Sequence, residues 1–93
     1  MRYVRVRWTS TDPSDPVLLY SELNDERWEV RKVEVYLDGS CGWASPTASS
    51  GDTMLGLVPV PELREIASDP QFDPEEISKA EFDSVWARCG GHG

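Results

Sequence analysis

One histidine, two cysteines and nine Lys/Arg are few for a chain of 93 residues, and each shortage removes a kind of chemistry. The histidine, His92, sits in the C-terminal Gly-Gly-His-Gly tail, so no histidine-based nucleophile–base pair is visible. Cys89 and His92 offer two metal ligands on a glycine tail, too few for a closed zinc site. Cys41 and Cys89 lie far apart and form no C-x-x-C pair. Reduced thiols in a cytosolic protein are therefore preferred, with a disulfide left open on spacing alone. No apolar run is long enough to cross a bilayer. The N-terminus alternates Val4, Val6 and Trp8 with Arg5 and Arg7, which gives no continuous apolar core of a signal peptide. A soluble, cytoplasmic protein without membrane association is expected. The Ser/Gly-rich stretch SPTASSGD lacks the lysine and spacing of a phosphate-binding loop. With no cofactor or metal site and no catalytic constellation in view, the chain reads as a non-enzyme.

What is abundant is acid. Seventeen Asp/Glu against nine Lys/Arg give a net charge of −8, unevenly spread. Residues 1–40 carry six basic and eight acidic side chains, and the remainder three and nine. Such a field repels nucleic acid and steers a basic partner inward, although acidic helices also serve solubility alone.

The length suits one domain over residues 1–89, followed by a flexible tail at 90–93. Met1 to Trp8 alternates as a strand, with Val4, Val6 and Trp8 on one face and Tyr3, Arg5 and Arg7 on the other. TSTDPSDP is rich in turn formers. Residues 17–23 form a second strand that separates Val17, Leu19 and Leu23 from Leu18, Tyr20 and Glu22. In a third strand over 27–37 the apolar alternation slips a register at Arg31 and Lys32. A β-bulge there would bring Trp28, Val30, Val33, Val35 and Leu37 to one face and leave Arg27, Glu29, Glu34 and Tyr36 outside. The alternative is a regular strand covered on both sides. Asp38-Gly39 predicts a two-residue hairpin loop. Its register would set Glu34 opposite Trp43 and Val33 opposite Ala44, so that Trp43 joins Tyr36 while Gly42 and Ala44 give a helix room to approach.

Thr53 to Val58 is the expected last strand, ended by Pro59 and Pro61, with a helix from Pro61 to about Ser68. DPQFDPEE is a proline-punctuated connection with Phe72 and Ile77 as plugs. Ser78-x-x-Glu81 is a capping box for a terminal helix whose Phe82, Val85 and Trp86 form a core stripe. The predicted fold is α+β: an antiparallel, bulged β-meander of about five strands with one or two C-terminal helices packed on one face.

MRYVRVRW, PVLLYSELNDERWEVRKVEVYLDG, GWAS, LGLVPVPELREIASDPQF and EEISKAEFDSVWA together resemble the DUF6881 family of small uncharacterised bacterial, mostly actinomycete, proteins. The likeness spans nearly the whole chain. It implies a stand-alone bacterial domain, and it implies no activity and no site residue.

The candidate site is the sheet face predicted to carry Tyr3, Arg5, Arg7, Tyr20, Glu22, Glu34, Tyr36 and Trp43. Tyr, Trp and Arg dominate binding hot spots. Arg5, Arg7, Tyr20, Tyr36 and Trp43 are therefore the expected partner-binding residues of a protein-interaction module, antagonist- or immunity-like by analogy. The same rings could instead form a second core. The alternative function is single-stranded nucleic-acid or small-ligand binding on that face, with the charge of −8 opposing nucleic acid. A monomer or weak homodimer with a protein partner is expected.

Overall fold

A computed structural model describes residues 1–10, 12–51 and 53–91. Five antiparallel strands, β1 (Arg2–Trp8), β2 (Pro16–Leu23), β3 (Glu29–Tyr36), β4 (Cys41–Ala44) and β5 (Phe72–Ile77), form one sheet in the order β4-β3-β2-β1-β5. A short helix α1 (Leu63–Ala67) precedes β5 and a longer one, α2 (Lys79–Arg88), follows it. This is the α+β architecture expected from the sequence, with a different fifth strand. Thr53 to Val58 is not a strand; Phe72–Ile77 returns beside β1 and pairs Trp8 with Phe72 and Tyr3 with Ile77. Its Pro74 is tolerated because β5 is an edge strand, where a missing N–H costs no ladder bond.

A bulge in β3 is present, at Val30 and not at Arg31 and Lys32 where it was expected. Glu22 pairs with Arg31 while Leu23 pairs with Glu29, so Val30 is the extra residue. Parity reverses there as the sequence slip required, which puts Arg31, Val33 and Val35 on one face and Glu29, Lys32 and Glu34 on the other.

The β3–β4 loop is one residue longer than Asp-Gly suggested. Tyr36 N–H donates to the Ser40 carbonyl at 2.8 Å, and Leu37, Asp38 and Gly39 lie between. Only Gly39 has positive φ, +89°, which fits a three-residue loop with glycine in the left-handed position. Asp38 Oδ1 accepts from Ser40 N at 2.9 Å and holds the turn. The added residue shifts the pairing by one: Val33 faces Trp43, Glu34 faces Gly42 and Lys32 faces Ala44. Every β4 side chain thereby moves to the face opposite the expected one.

The two helices lie on opposite sides of the sheet. Phe82 and Val85 of α2 are buried against Tyr3, Tyr20, Val33 and Trp43, with Trp86 half-buried at their edge. The Ser78 hydroxyl accepts from Glu81 N at 3.1 Å, the N-terminal half of the expected capping box. Gly90 N–H donates to Ala87 O and Gly91 N–H to Trp86 O, and Gly90 has φ +83°. This is a Schellman closure of α2, so the first two glycines of the tail are ordered against the helix. The tail's His92, and with it the Cys89–His92 ligand pair considered above, lies outside the described residues.

Cys41 and Cys89 are joined in a disulfide, with Cα atoms 5.9 Å apart. Reduced thiols were expected from the sequence. The pairing follows from register, because Cys41 shares the Val35 face that the end of α2 covers. A cross-link over a sequence separation of 48 stabilises by about 4 kcal/mol on the chain-entropy estimate.

Gly42 faces the other side, where the Thr53 side chain occupies the space a Cβ would need. Its smallness serves a loop, not a helix. Gly42→Ala is expected to lose about 1–3 kcal/mol in urea unfolding through overpacking. Adding Thr53→Ala should recover part of that loss; no recovery would show that Thr53 is not the obstacle.

Candidate functional site

The face proposed from sequence is the one α2 covers. Tyr20 and Trp43 are 7% and 6% exposed and belong to the main core. Trp43 meets Trp86 edge-on with ring centroids 5.4 Å apart, and Tyr3 lies 5.6 Å from Phe82. Arg5 shares this face but is engaged by Glu75 at 2.7 Å and Glu81 at 2.9 Å. Arg7 is exposed. Tyr36 falls on the other side from Val35 and lines a shallow depression with Pro13, Ser14 and the β3–β4 loop. The five residues are therefore not one open patch. The second-core alternative holds for Tyr20 and Trp43, and the longer hairpin loop is why Tyr36 and Trp43 separate.

At the centre of the covered face, Arg31 joins sheet to helix. Its Nε and one terminal nitrogen donate to Glu22 at 2.7 and 2.9 Å, and that terminal nitrogen also donates to Asp83 of α2 at 3.0 Å. The guanidinium lies 4.9 Å from the Phe82 ring centroid and 5.1 Å from that of Trp86. Arg31 hydrogen bonds hold Glu22 below its usual value of 4.5, against the opposing effect of burial. Burial, and then a hydrogen bond to Glu22, raise the Tyr3 phenol. These groups are mutually satisfied and serve cohesion.

The open feature lies on the other face, beneath α1. Two charged side chains position it. Arg27 adopts φ +66°, a conformation that is uncommon outside glycine and needs support. Its guanidinium donates to the carbonyls of Val60 and Pro61, both at 2.7 Å, while its own carbonyl accepts from Val60 N at 2.8 Å. Glu29, turned to this face by the bulge, accepts from Gly56 N at 2.6 Å and from the Ser21 hydroxyl at 2.8 Å. These ties suspend residues 54–61 alongside the sheet and set where α1 begins.

Between α1 and the sheet they leave a groove of about 360 Å³. Val6, Leu19, Val60, Ile66 and Phe72 supply its apolar wall, and Ser21, Glu29, Lys32, Glu65 and Asp69 its polar positions. None of the five apolar residues is fully buried, and α1 buries no residue at all. The volume falls in the range of small binding clefts. On the loop that runs from Gly56, held by the groove residue Glu29, to the groove residue Val60, Met54, Leu57 and Val58 do not line the groove and stand 69%, 83% and 69% exposed. Sequence reasoning placed these three in a strand and so missed them. The signal available was an apolar run closed by two prolines, which suits a suspended loop as well as a strand.

Among the described residues, no group of three or more His, Cys, Asp or Glu is arranged to hold a metal ion. Among the described residues, no helix is long and apolar enough to cross a membrane.

One family, described as a domain of unknown function (DUF6881), matches the chain over residues 2–91. No curated protein and no solved structure matches it.

Two outcomes check the covered face. Trp43→Ala is expected to cost about 3–5 kcal/mol in denaturant unfolding, as for a buried aromatic; an unchanged midpoint would mean that the ring is not core. Because the Glu22 carboxylate is favoured in the folded state, the unfolded chain takes its proton first as pH falls. Its contribution is complete above about pH 4.5 and disappears as pH falls through the lower folded value. Glu22→Gln should therefore weaken the protein by about 1–3 kcal/mol at neutral pH and flatten the loss of stability below pH 4.5. A parallel acid profile would assign that loss to other carboxylates.

Proposed function

The chain belongs to the DUF6881 family, and we propose that it is a protein-interaction module that docks a partner protein in the groove beneath α1, with residues 54–58 as its lip. The observation that carries this is the exposure of Met54, Leu57 and Val58 on the loop that leads through Gly56 and Val60 into an apolar groove that α1 leaves open. Exposed large apolar side chains gathered in one short segment mark interaction sites, and these three lie on a loop, where binding residues concentrate. The two mostly buried glutamates support binding over acid–base chemistry: Glu22 is paired with Arg31, and Glu29 is held by Ser21 and Gly56. Of the contacts proposed from sequence, Arg7 and Tyr36 retain accessible surface and could extend an interface, whereas Tyr20 and Trp43 act through the fold.

An acidic antagonist that covers a basic protein is the form of this role that the charge of −8 favours. The Cys41–Cys89 bond supports an oxidising setting more than the cytoplasm expected from the sequence.

The triple variant Met54→Ser, Leu57→Ser, Val58→Ser changes surface side chains only. Its stability is expected within about 0.5 kcal/mol of the parent protein. A partner isolated with the parent protein should then bind the variant at least about tenfold more weakly by calorimetry, a loss of about 1.4 kcal/mol. Equal affinity would place the interface elsewhere and overturn the groove as its site.

A further inference from the structure

We infer that the groove selects an apolar side chain flanked by lysine or arginine, so that the partner presents a basic amphipathic segment. This rests on the groove being the docking site.

The charges that line the groove divide into a neutralised pair and an unbalanced one. Glu29 is mostly buried; Lys32 Nζ lies 3.8 Å from its Oε1, and the remaining acceptor positions serve Gly56 N and Ser21. Lys32 and Glu29 cancel. Glu65 and Asp69 lie at the α1 side of the groove. Asp69 Oδ1 accepts from Gln71 N at 3.0 Å, which closes the turn after the helix without supplying charge. Among the described residues, neither Glu65 nor Asp69 has a basic group within 4.0 Å. The groove therefore carries two unopposed negative charges next to an apolar wall.

An occupant that fills the apolar space draws these carboxylates partly out of water. A cation beside the apolar group offsets that cost, and an anion adds like-charge repulsion to it. The overall charge of −8 acts in the same direction at longer range. Nucleic acid and anionic lipid are disfavoured by both effects. A basic segment gains from both, with its Trp, Leu or Ile side chain against Leu19, Ile66 and Phe72.

Tryptamine and indole-3-acetate test this, because they share an indole and differ in the sign of their charge. Methyl NMR signals of Val6, Leu19 and Ile66 report occupancy of the groove. Tryptamine is expected to shift them with an affinity about three- to fivefold above that of indole-3-acetate, the scale of exposed ion pairs. Glu65→Gln with Asp69→Asn should erase the difference. Asp25→Asn with Glu26→Gln, which removes the same charge from the β2–β3 turn, should preserve it. The tripeptide amide Lys-Trp-Lys should compete with tryptamine for the same signals. Equal binding of the two indoles, a preference for the acid, or loss of preference in both variant pairs overturns the selection by Glu65 and Asp69 while leaving the groove as a site. Failure of the tripeptide to compete overturns the peptide partner in favour of a small amine. If neither indole moves the three methyl signals, the groove itself fails as a binding site.

Discussion

The guanidinium of Arg31 is the joint on which this small fold depends. It grips Glu22 in the sheet with two hydrogen bonds, reaches Asp83 on α2 and lies against the faces of Phe82 and Trp86. A planar cation can do all of this at once, because its edge donates while its face stays available to aromatic rings. Lysine in its place would keep the charge and lose the fork. Arg31 reaches this position only because the Val30 bulge reverses the parity of β3. The same reversal sends Glu29 to the opposite face, where it holds the loop beside the groove. One inserted residue thus organises both sides of the sheet.

The two sides are built differently. Beneath α2, aromatic packing, the Arg31 cluster and the Cys41–Cys89 bond close the layer. Both ends of that helix are capped, by Ser78 and by the Gly90–Gly91 closure. On the α1 side Val4 and Leu23 are buried, Arg27 and Glu29 tie the covering loop by individual contacts, and apolar surface is left uncovered. A five-residue helix cannot span the face that a ten-residue helix covers opposite it. Cohesion is concentrated on one face, and the other keeps uncovered apolar surface.

Much of the fold was legible in residue order. The alternation in β1 and β2, the parity slip in β3, the Ser78 cap and the Phe82/Val85 stripe each depend on near neighbours, and each was read correctly. The fifth strand was not. Phe72–Ile77 carries three acids and a proline between its apolar ends and looks like a connection. It becomes a strand because β1 offers it an edge. Met54 to Val58 has the better strand composition and forms none: Glu29 takes the Gly56 N–H at its middle, and Arg27 ties down Val60 and Pro61 just beyond it, in place of a neighbouring strand.

The candidate site turned on a single residue of loop length. Asp38-Gly39 fits both a two-residue and a three-residue hairpin, and the choice inverts β4: with the longer loop Trp43 enters the core and Gly42 meets Thr53. The sequence by itself determined the α+β class, the facing of residues within the first two strands, the bulge and the acidity. Those follow from interactions over a few residues or from composition alone. Only the tertiary structure decided which face α2 would cover, that Cys41 would meet Cys89, and that a groove would remain beneath α1. These depend on the register between strands and on contacts between residues far apart in the chain, and local pattern carries no energy that distinguishes one such register from the next.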